Sequence, residues 1–228
     1  MRGTTPYGRA IAGRVSFRLL PYRVHVRFED DSLEPEMAAM AVSARQPREA
    51  AGEMHYVVEG SGPYAVLEEG ARQAAGLSTT EVAGALAARC RARVLDHLSL
   101  GGWTAASGAI VHADGRRVLV LGDDSGAVVD RLRTTGEFVE GDDLVFFRAG
   151  AAVCLPQPSS VDIVEGPVSA VAVVAPATDG PYQALTTGDV VEALVTATLP
   201  SWTPPANVLR ACLDLVRGAD GYQVSGGT

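Results

Sequence analysis

The sequence predicts a mixed α/β fold with a β-rich segment at its N-terminal end. Short apolar runs that alternate with polar residues indicate strands, stretches of helical periodicity indicate helices, and glycine- or proline-containing turns separate them. The chain has 228 residues, of which 47% are hydrophobic and 20% charged, a composition typical of globular proteins. We expect a β-rich segment with one capped helix over 1–99 and an α/β core over 100–228, built as one continuous unit.

The first strands are predicted by alternation. Residues 14–28 include apolar side chains that alternate with polar ones, which is typical of a half-buried strand. The acidic, proline-containing stretch over 29–54 predicts a long loop with a short helical turn. The runs over 55–60 and 64–70 predict a hairpin, because glycine and proline lie between them.

A capping box predicts the best-defined helix. Ser78 and Glu81 have the spacing at which each side chain can satisfy the other residue's backbone N–H at a helix start. Apolar residues then recur every four positions, at Val82, Leu86, Cys90, Val94 and Leu98. The other face carries Arg89, Arg91 and Arg93, which we interpret as a solvated face, with an anion or acidic-peptide contact as the alternative.

Mixed strands and helices continue to the end of the chain, which indicates an α/β core. The predicted elements begin with two β-rich runs over 106–115 and 116–126 around a turn at 113–115, and the continuous apolar run over 118–121 predicts a strand buried on both faces. A helix over 128–133, strands near 137–147 and 151–155, two strands within 161–176, and helices over 188–199 and 204–217 follow.

The charge pattern excludes several function classes. All 19 basic residues are arginine, so chemistry that needs a lysine amine is excluded. The formal net charge is -8 and no basic stripe is present, which argues against nucleic acid as a partner. No apolar run reaches about 18 residues, and no apolar stretch follows the N-terminal arginines. We therefore expect no membrane partner and no secretory signal, and we assign the protein to the cytoplasm.

Cysteine and histidine spacing predicts no metal site. Cys90, Cys154 and Cys212 stand about sixty residues apart without a paired motif, so we expect buried thiols in a reducing compartment. The histidines are scattered and show no metal-ligand spacing, at His25, His55, His97 and His112.

A strand, a glycine loop and a helix near residue 122 have the order of a phosphate-binding loop. That loop needs the pattern G-x-x-x-x-G-K-[ST], in which lysine neutralises phosphate and the hydroxyl holds magnesium. Gly122 fits the first position, and Ser125 and Gly126 follow it. The second glycine, the lysine and the hydroxyl residue are replaced by Ala127, Val128 and Val129. Two acidic residues within the loop, at 123 and 124, should repel a polyphosphate.

Five short segments stand in a characteristic order along the chain, at 106–111, 114–115, 119–122, 138–145 and 155–158. In order and spacing they resemble the HPr kinase/phosphorylase-like family, bacterial serine kinases with a phosphoenolpyruvate-carboxykinase-type nucleotide fold. The resemblance covers about residues 55–225 and implies an HPr-kinase-like mixed sheet with flanking helices.

The resemblance also implies where catalytic groups would lie. Ser107 stands where the family has histidine, and the aspartate pair Asp142 and Asp143 is retained. Such a pair can bind magnesium or deprotonate a hydroxyl, but it has nothing to act on without a phosphate clamp. Arg131 and Arg133 are the candidates to replace the lysine. We interpret the chain as a catalytically inactive pseudokinase without cofactor; the alternative is an atypical ATP-dependent kinase that uses Asp142 and Asp143.

Degenerate relatives of that family resemble accessory proteins of ribosomal peptide natural-product pathways, including the daptide type. The leading hypothesis is therefore a non-catalytic adaptor that binds a precursor (leader) peptide, a peptide-modifying enzyme, or both. Four arginines recur near strand spacing and could pair with acidic leader residues, at Arg14, Arg18, Arg23 and Arg27. A solvated strand edge protected by charge is an equal alternative. A structural subunit of an enzyme complex is a third reading, and a homodimer is left open.

Overall fold

Two units make up the fold. The computed structural model describes residues 12–19, 22–41, 52–122, 125–141, 144–154, 165–175, 182–200 and 203–225. Contacts divide the chain into unit 1, residues 1–94, and unit 2, residues 95–228. The described residues form three sheets and five α-helices, which confirms the predicted mixed α/β class and the β-rich N-terminal part.

Unit 1 contains a five-stranded sheet in the order β1-β2-β3-β4-β5. Its strands are β1 (Gly13–Leu19), β2 (Tyr22–Phe28), β3 (Gly52–Glu59), β4 (Tyr64–Glu68) and β5 (Ala71–Leu77). Neighbouring strands are antiparallel except β2 and β3, which are parallel. The predicted β3–β4 hairpin is confirmed. The predicted strand region over 14–28 divides into two paired strands.

The acidic stretch after β2 is less loop-like than predicted. A 3-10 turn (Asp31–Leu33) leads directly into α1 (Glu34–Ala41). Leu33 and Met37 are fully buried, so two apolar side chains anchor this short helix. The rest of the predicted loop up to β3 lies outside the described residues.

The predicted capped helix is confirmed as α2 (Thr79–Leu100). The Glu81 carboxylate accepts hydrogen bonds from the Ser78 N–H at 2.8 Å and the Ser78 hydroxyl at 2.6 Å. The four-residue repeat of apolar positions forms one fully buried stripe, at Val82, Leu86, Cys90 and Val94. No described helix is long and apolar enough to span a bilayer.

Unit 2 combines a six-stranded sheet in the order β13-β14-β12-β8-β7-β9 with a three-stranded sheet in the order β11-β10-β6. Strands β8, β12 and β14 are mutually parallel, and their neighbours are antiparallel. The elements are β6 (Thr104–Ser107), β7 (Ala109–Ala113), β8 (Arg116–Leu121), α3 (Ser125–Thr134), β9 (Phe138–Gly141), β10 (Leu144–Arg148), β11 (Ala151–Cys154), β12 (Ala170–Ala175), β13 (Tyr182–Ala184), α4 (Thr187–Ala197), α5 (Pro205–Val216) and β14 (Asp220–Ser225).

Strand β8 is buried on both faces, as its continuous apolar run predicts. Leu119 and Leu121 join the main core, to which α4, α5 and the three-stranded sheet contribute. Val120 points to the opposite face and joins a smaller cluster that includes Val129 of α3. Burial on both faces is typical of the central strands of a parallel sheet.

One predicted region needs correction, and two strands were not predicted. The predicted region 161–176 has one strand, β12, and an isolated bridge at Gly166, within its described residues. Strand β5 is largely exposed and β13 has three residues, so neither carries a buried alternation that the sequence could reveal.

All three cysteines are buried and free, as predicted. Burial raises the pKa of the Cys90 thiol to about 12 and that of the Cys212 thiol to about 11. Because the thiolate is the reactive form, these side chains pack as small apolar groups and do not serve as nucleophiles.

A buried carboxylate ties α2 to the sheet of unit 1. Glu68 on β4 is 5% exposed and accepts hydrogen bonds from Arg89 Nε at 2.9 Å and Arg93 Nε at 2.7 Å. The Tyr56 hydroxyl donates to the same carboxylate at 3.4 Å. Burial raises the pKa of Glu68, but the hydrogen bonds from Arg93 and Arg89 outweigh burial and leave the pKa below its usual value. Two of the three arginines predicted on one side of α2, Arg89 and Arg93, therefore form ion pairs with a buried carboxylate.

Replacing Glu68 with glutamine should weaken unit 1, because Arg89 and Arg93 lose the charge that they neutralise. We expect the free energy of unfolding to fall by about 2 kcal/mol, less than for a fully buried pair because both arginines are partly exposed. Urea denaturation at neutral pH measures this change. Glu69→Gln, at an exposed neighbouring position, is the matched control and should leave stability unchanged.

The same carboxylate predicts a pH dependence. Because the pKa of folded Glu68 is lowered, its contribution is fully present above the unfolded value near 4.5 and is lost as the pH falls through the folded value. The stability difference between wild type and Glu68→Gln should therefore shrink in denaturation curves below about pH 4. A difference that stays constant on acidification would contradict the role assigned to Glu68.

Candidate functional site

The structure places the predicted phosphate-loop residues between β8 and α3, at a strand–turn–helix junction. Gly122 follows β8 with a φ of +115°, and its carbonyl accepts a hydrogen bond from the Ser125 N–H at 3.1 Å. Helix α3 begins at Ser125, and Gly126 lies in its first turn. The two acidic loop residues at 123 and 124 lie outside the described residues.

The residues at the positions of the lysine and the hydroxyl residue pack on the sheet. Val129 is fully buried in the small apolar cluster beneath α3. Val128 is partly buried against the same cluster. Both valines therefore hold α3 on the sheet, and neither position supplies a cation or a hydroxyl to the loop.

The other groups of the predicted kinase site are dispersed or undescribed. Asp142 and Asp143 lie outside the described residues, and Ser107 is exposed at the end of β6. Arg133 pairs with Asp130 at 2.9 Å, and Arg131 donates to the Ser225 carbonyl at 3.3 Å. Replacement of the lysine by one of these arginines stays a prediction.

An apolar groove of about 690 Å³ lies beside α3 on the six-stranded sheet. Its floor consists of small and branched aliphatic side chains on β8, β12 and β14, namely Val118, Val120, Ala170, Ala172 and Val224. Val128 and Leu132 of α3 line it as well. Arg116, Arg131 and Tyr222 also border it. Such a groove can accept apolar side chains.

A second buried carboxylate, Glu140, lies in unit 2 on β9. Arg117 on β8 binds it through two contacts, Nε to Oε1 at 2.7 Å and Nη2 to Oε2 at 2.8 Å. His112 on β7 approaches Oε1 at 2.6 Å through Nε2. Arg117 also donates to the carbonyls of Gly166 and Ala152. This cluster has a structural role, because it links three strands of one sheet to β11. The spacing of residues in the sequence does not reveal the cluster, because its members come from separate strands.

The four predicted partner-binding arginines share one region of unit 1. Arg14 lies directly opposite Arg27 in the β1–β2 register, and Arg18 lies opposite Arg23. Buried residues alternate with these positions on β2, so Arg23 and Arg27 point away from the core. Like charges directly opposite each other across antiparallel strands destabilise a sheet. We name the outer side of β1, β2 and β3 the arginine face; it carries Arg14, Ser16, Arg23, His25, Arg27, Glu53, His55 and Glu59, and the register position of Arg18.

One carboxylate on this face lies within 4 Å of three basic side chains. Glu53 lies 3.7 Å from Arg23 Nη1, 3.7 Å from His25 Nε2 and 3.2 Å from His55 Nε2. Arg23 Nε is buried and has no hydrogen-bond partner among the described residues. The described side chains of the arginine face include three arginines, Arg14, Arg23 and Arg27, and two carboxylates, Glu53 and Glu59. This excess of cations favours an anionic ligand.

The prediction that the histidines are scattered is wrong for two of them. His25 and His55 are direct neighbours in the parallel β2–β3 register, and their rings stack with centroids 5.0 Å apart and planes 13° apart. Their separation of thirty positions in the sequence hid this pairing, because the register of parallel strands cannot be read from spacing. No described group of three or more potential ligands is arranged to hold a metal ion.

Comparison with known proteins adds little to this picture. No family model matches the chain, and no curated protein matches it. Among solved structures, the chain is similar to the Hpr(Ser) kinase/phosphatase from Coxiella burnetii, with 9% identity and a TM-score of 0.26. That match covers 53% of this chain and 77% of the other. Similarity at this level carries no argument about family or activity, so the HPr-kinase-like relationship stays a prediction.

Gly122 should be essential for the loop geometry, whereas Gly126 should not. An added Cβ at Gly122 would lie 2.7 Å from the Val174 carbonyl oxygen, at a φ that side-chain-bearing residues avoid. We expect Gly122→Ala to lower the free energy of unfolding by about 2 kcal/mol. Gly126→Ala meets no atom within 4 Å and should stabilise the helix by about 0.5 kcal/mol.

Chemical denaturation of the two alanine variants, monitored by circular dichroism, measures the change in the free energy of unfolding that each substitution causes in unit 2. Equal stability of the two variants would contradict the close approach of the loop to β12.

Proposed function

We propose that this protein is a non-catalytic adaptor that binds an acidic segment of a precursor peptide, of a peptide-modifying enzyme, or of both. The observation that carries the proposal is the arginine face. Its opposed arginines outnumber the carboxylates Glu53 and Glu59 on the same side of the sheet, which favours an anionic partner.

Physical chemistry favours a peptide over a small anion at this face. The basic positions extend across three strands, and on β2 they recur at every second residue, at Arg23, His25 and Arg27. An extended peptide with acidic residues at alternate positions has the same period of side chains on one side. Carboxylates of such a peptide would neutralise the opposed arginines and accept hydrogen bonds from their guanidinium groups.

The packing of α3 supports a binding role over phosphoryl transfer. Val128 and Val129 occupy the positions of the lysine and hydroxyl residue, and both pack on the sheet. Conversion of these positions to a phosphate clamp would require a charge within an apolar cluster. We therefore infer a pseudokinase-type adaptor, and the sequence resemblance suggests ribosomal peptide biosynthesis in the cytoplasm as its setting.

Reversal of charge on the arginine face should weaken binding of an acidic partner. The probe is a synthetic twelve-residue peptide with aspartate at alternate positions, measured by fluorescence anisotropy at moderate ionic strength. We expect Arg23→Glu/Arg27→Glu to raise Kd about tenfold or more, because attraction at two positions becomes repulsion. Arg210→Glu, an exposed arginine on α5, is the matched control and should change Kd less than twofold.

The groove on unit 2 supplies a contrast variant. Ala172→Phe would fill its floor and should leave binding of the acidic peptide unchanged. Loss of binding in Ala172→Phe together with normal affinity in the double arginine variant would move the partner site to the groove and reject the arginine face.

Nucleotide titration tests the non-catalytic part of the proposal. We expect calorimetric titration with Mg·ATP and Mg·GTP up to millimolar concentration to produce no saturable heat, because no lysine or hydroxyl occupies the clamp positions. Single-site binding would instead favour the atypical kinase. In that case Asp143→Asn should abolish phosphoryl transfer without unfolding the protein.

A further inference from the structure

We propose that His25 and His55 form a proton-dependent subsite of the arginine face, which takes carboxylate groups of the acidic partner. The inference rests on the proposed function, because it concerns how the same face holds the same partner. It adds two binding residues and a coupling between partner binding and proton uptake.

The two imidazoles are placed for contact with a ligand on the sheet surface. Their rings stack at 5.0 Å, and the side chains of His25 and His55 are 27% and 56% exposed. The Nδ1 atom of His25 lies 2.8 Å from the Ser16 hydroxyl, which fixes the orientation of its ring. A strand-like peptide that lies on this face would pass over both rings.

Charged groups of both signs surround the pair. Two imidazolium rings at this distance repel each other, and neighbouring arginines add to the repulsion. Glu53 is the carboxylate within 4 Å of both rings, and it lies near Arg23 as well. The charged groups on the surrounding strands and turn are Arg14, Arg18, Arg23, Arg27, Glu53, Glu59 and Glu69.

A partner's carboxylates reduce this repulsion. They attract an imidazolium ring more strongly than a neutral one, so binding of the partner favours proton uptake by the pair. The affinity that protonated rings add is lost as the pH rises and the rings give up their protons. Affinity for an acidic peptide should therefore increase as the solution is acidified.

The experiment uses the aspartate peptide described above, because aspartate with a pKa of about 3.9 stays ionised throughout the range. We expect Kd to fall about tenfold between pH 7.5 and pH 5.5, since each new charge at contact distance contributes a several-fold factor before salt screening. Calorimetry near pH 6.5 in two buffers with different ionisation heats should show net proton uptake on binding.

Variants separate the histidines from the arginines. His25→Gln/His55→Gln should abolish the pH dependence of Kd and the proton uptake on binding. His55→Gln alone, at the more exposed ring, should remove about half of the dependence and provides a readout if the double variant does not fold. His97→Gln, on α2 outside the face, is the matched control and should retain the full dependence.

The outcomes distinguish the two proposals. Failure of the peptide to bind wild-type protein at any pH would overturn the arginine face as a partner site, and the subsite with it. Binding that weakens in Arg23→Glu/Arg27→Glu but does not change with pH would overturn the histidine subsite alone. The same conclusion follows if the double histidine variant retains the wild-type pH dependence.

Discussion

Strand register is the constraint on which this structure depends. In unit 1, the pairing of β1 with β2 and of β2 with β3 brings arginine opposite arginine and histidine opposite histidine. A shift of one residue would move every such side chain to the other face of the sheet and expose Val24, Val26 and Phe28. The burial of the apolar side of the sheet therefore determines which residues lie on its charged side.

The same dependence explains how much the sequence could predict. Period-two alternation and a capping box act over a few residues, so the β3–β4 hairpin, α2, β8 and the last two helices were predictable. Strand β5 lacked an apolar side, and α1 lay in a stretch whose acidic residues and proline suggested a loop. Pairings between distant residues, such as His25 with His55, depend on register and could not be predicted from spacing.

The two buried carboxylates show how a chain without lysine fixes its sheets. Glu68 in unit 1 and Glu140 in unit 2 are each almost fully buried, and each is bound by arginine. The planar guanidinium has several donors in a fixed arrangement, so Arg117 reaches a carboxylate and two carbonyls from different strands at once. A lysine has one compact charge and could not connect as many strands in a fixed geometry. Arginine in this protein thus serves as an internal crosslink in two places and as a surface charge in a third.

The packing beneath α3 limits what this helix can be changed to do. A lysine at position 128 would bring an ammonium group among the aliphatic side chains that line the groove, and a hydroxyl at position 129 would be buried in an apolar cluster. Either substitution would loosen the helix before any phosphate could bind. The apolar packing of α3 and a nucleotide clamp at these two positions therefore exclude each other.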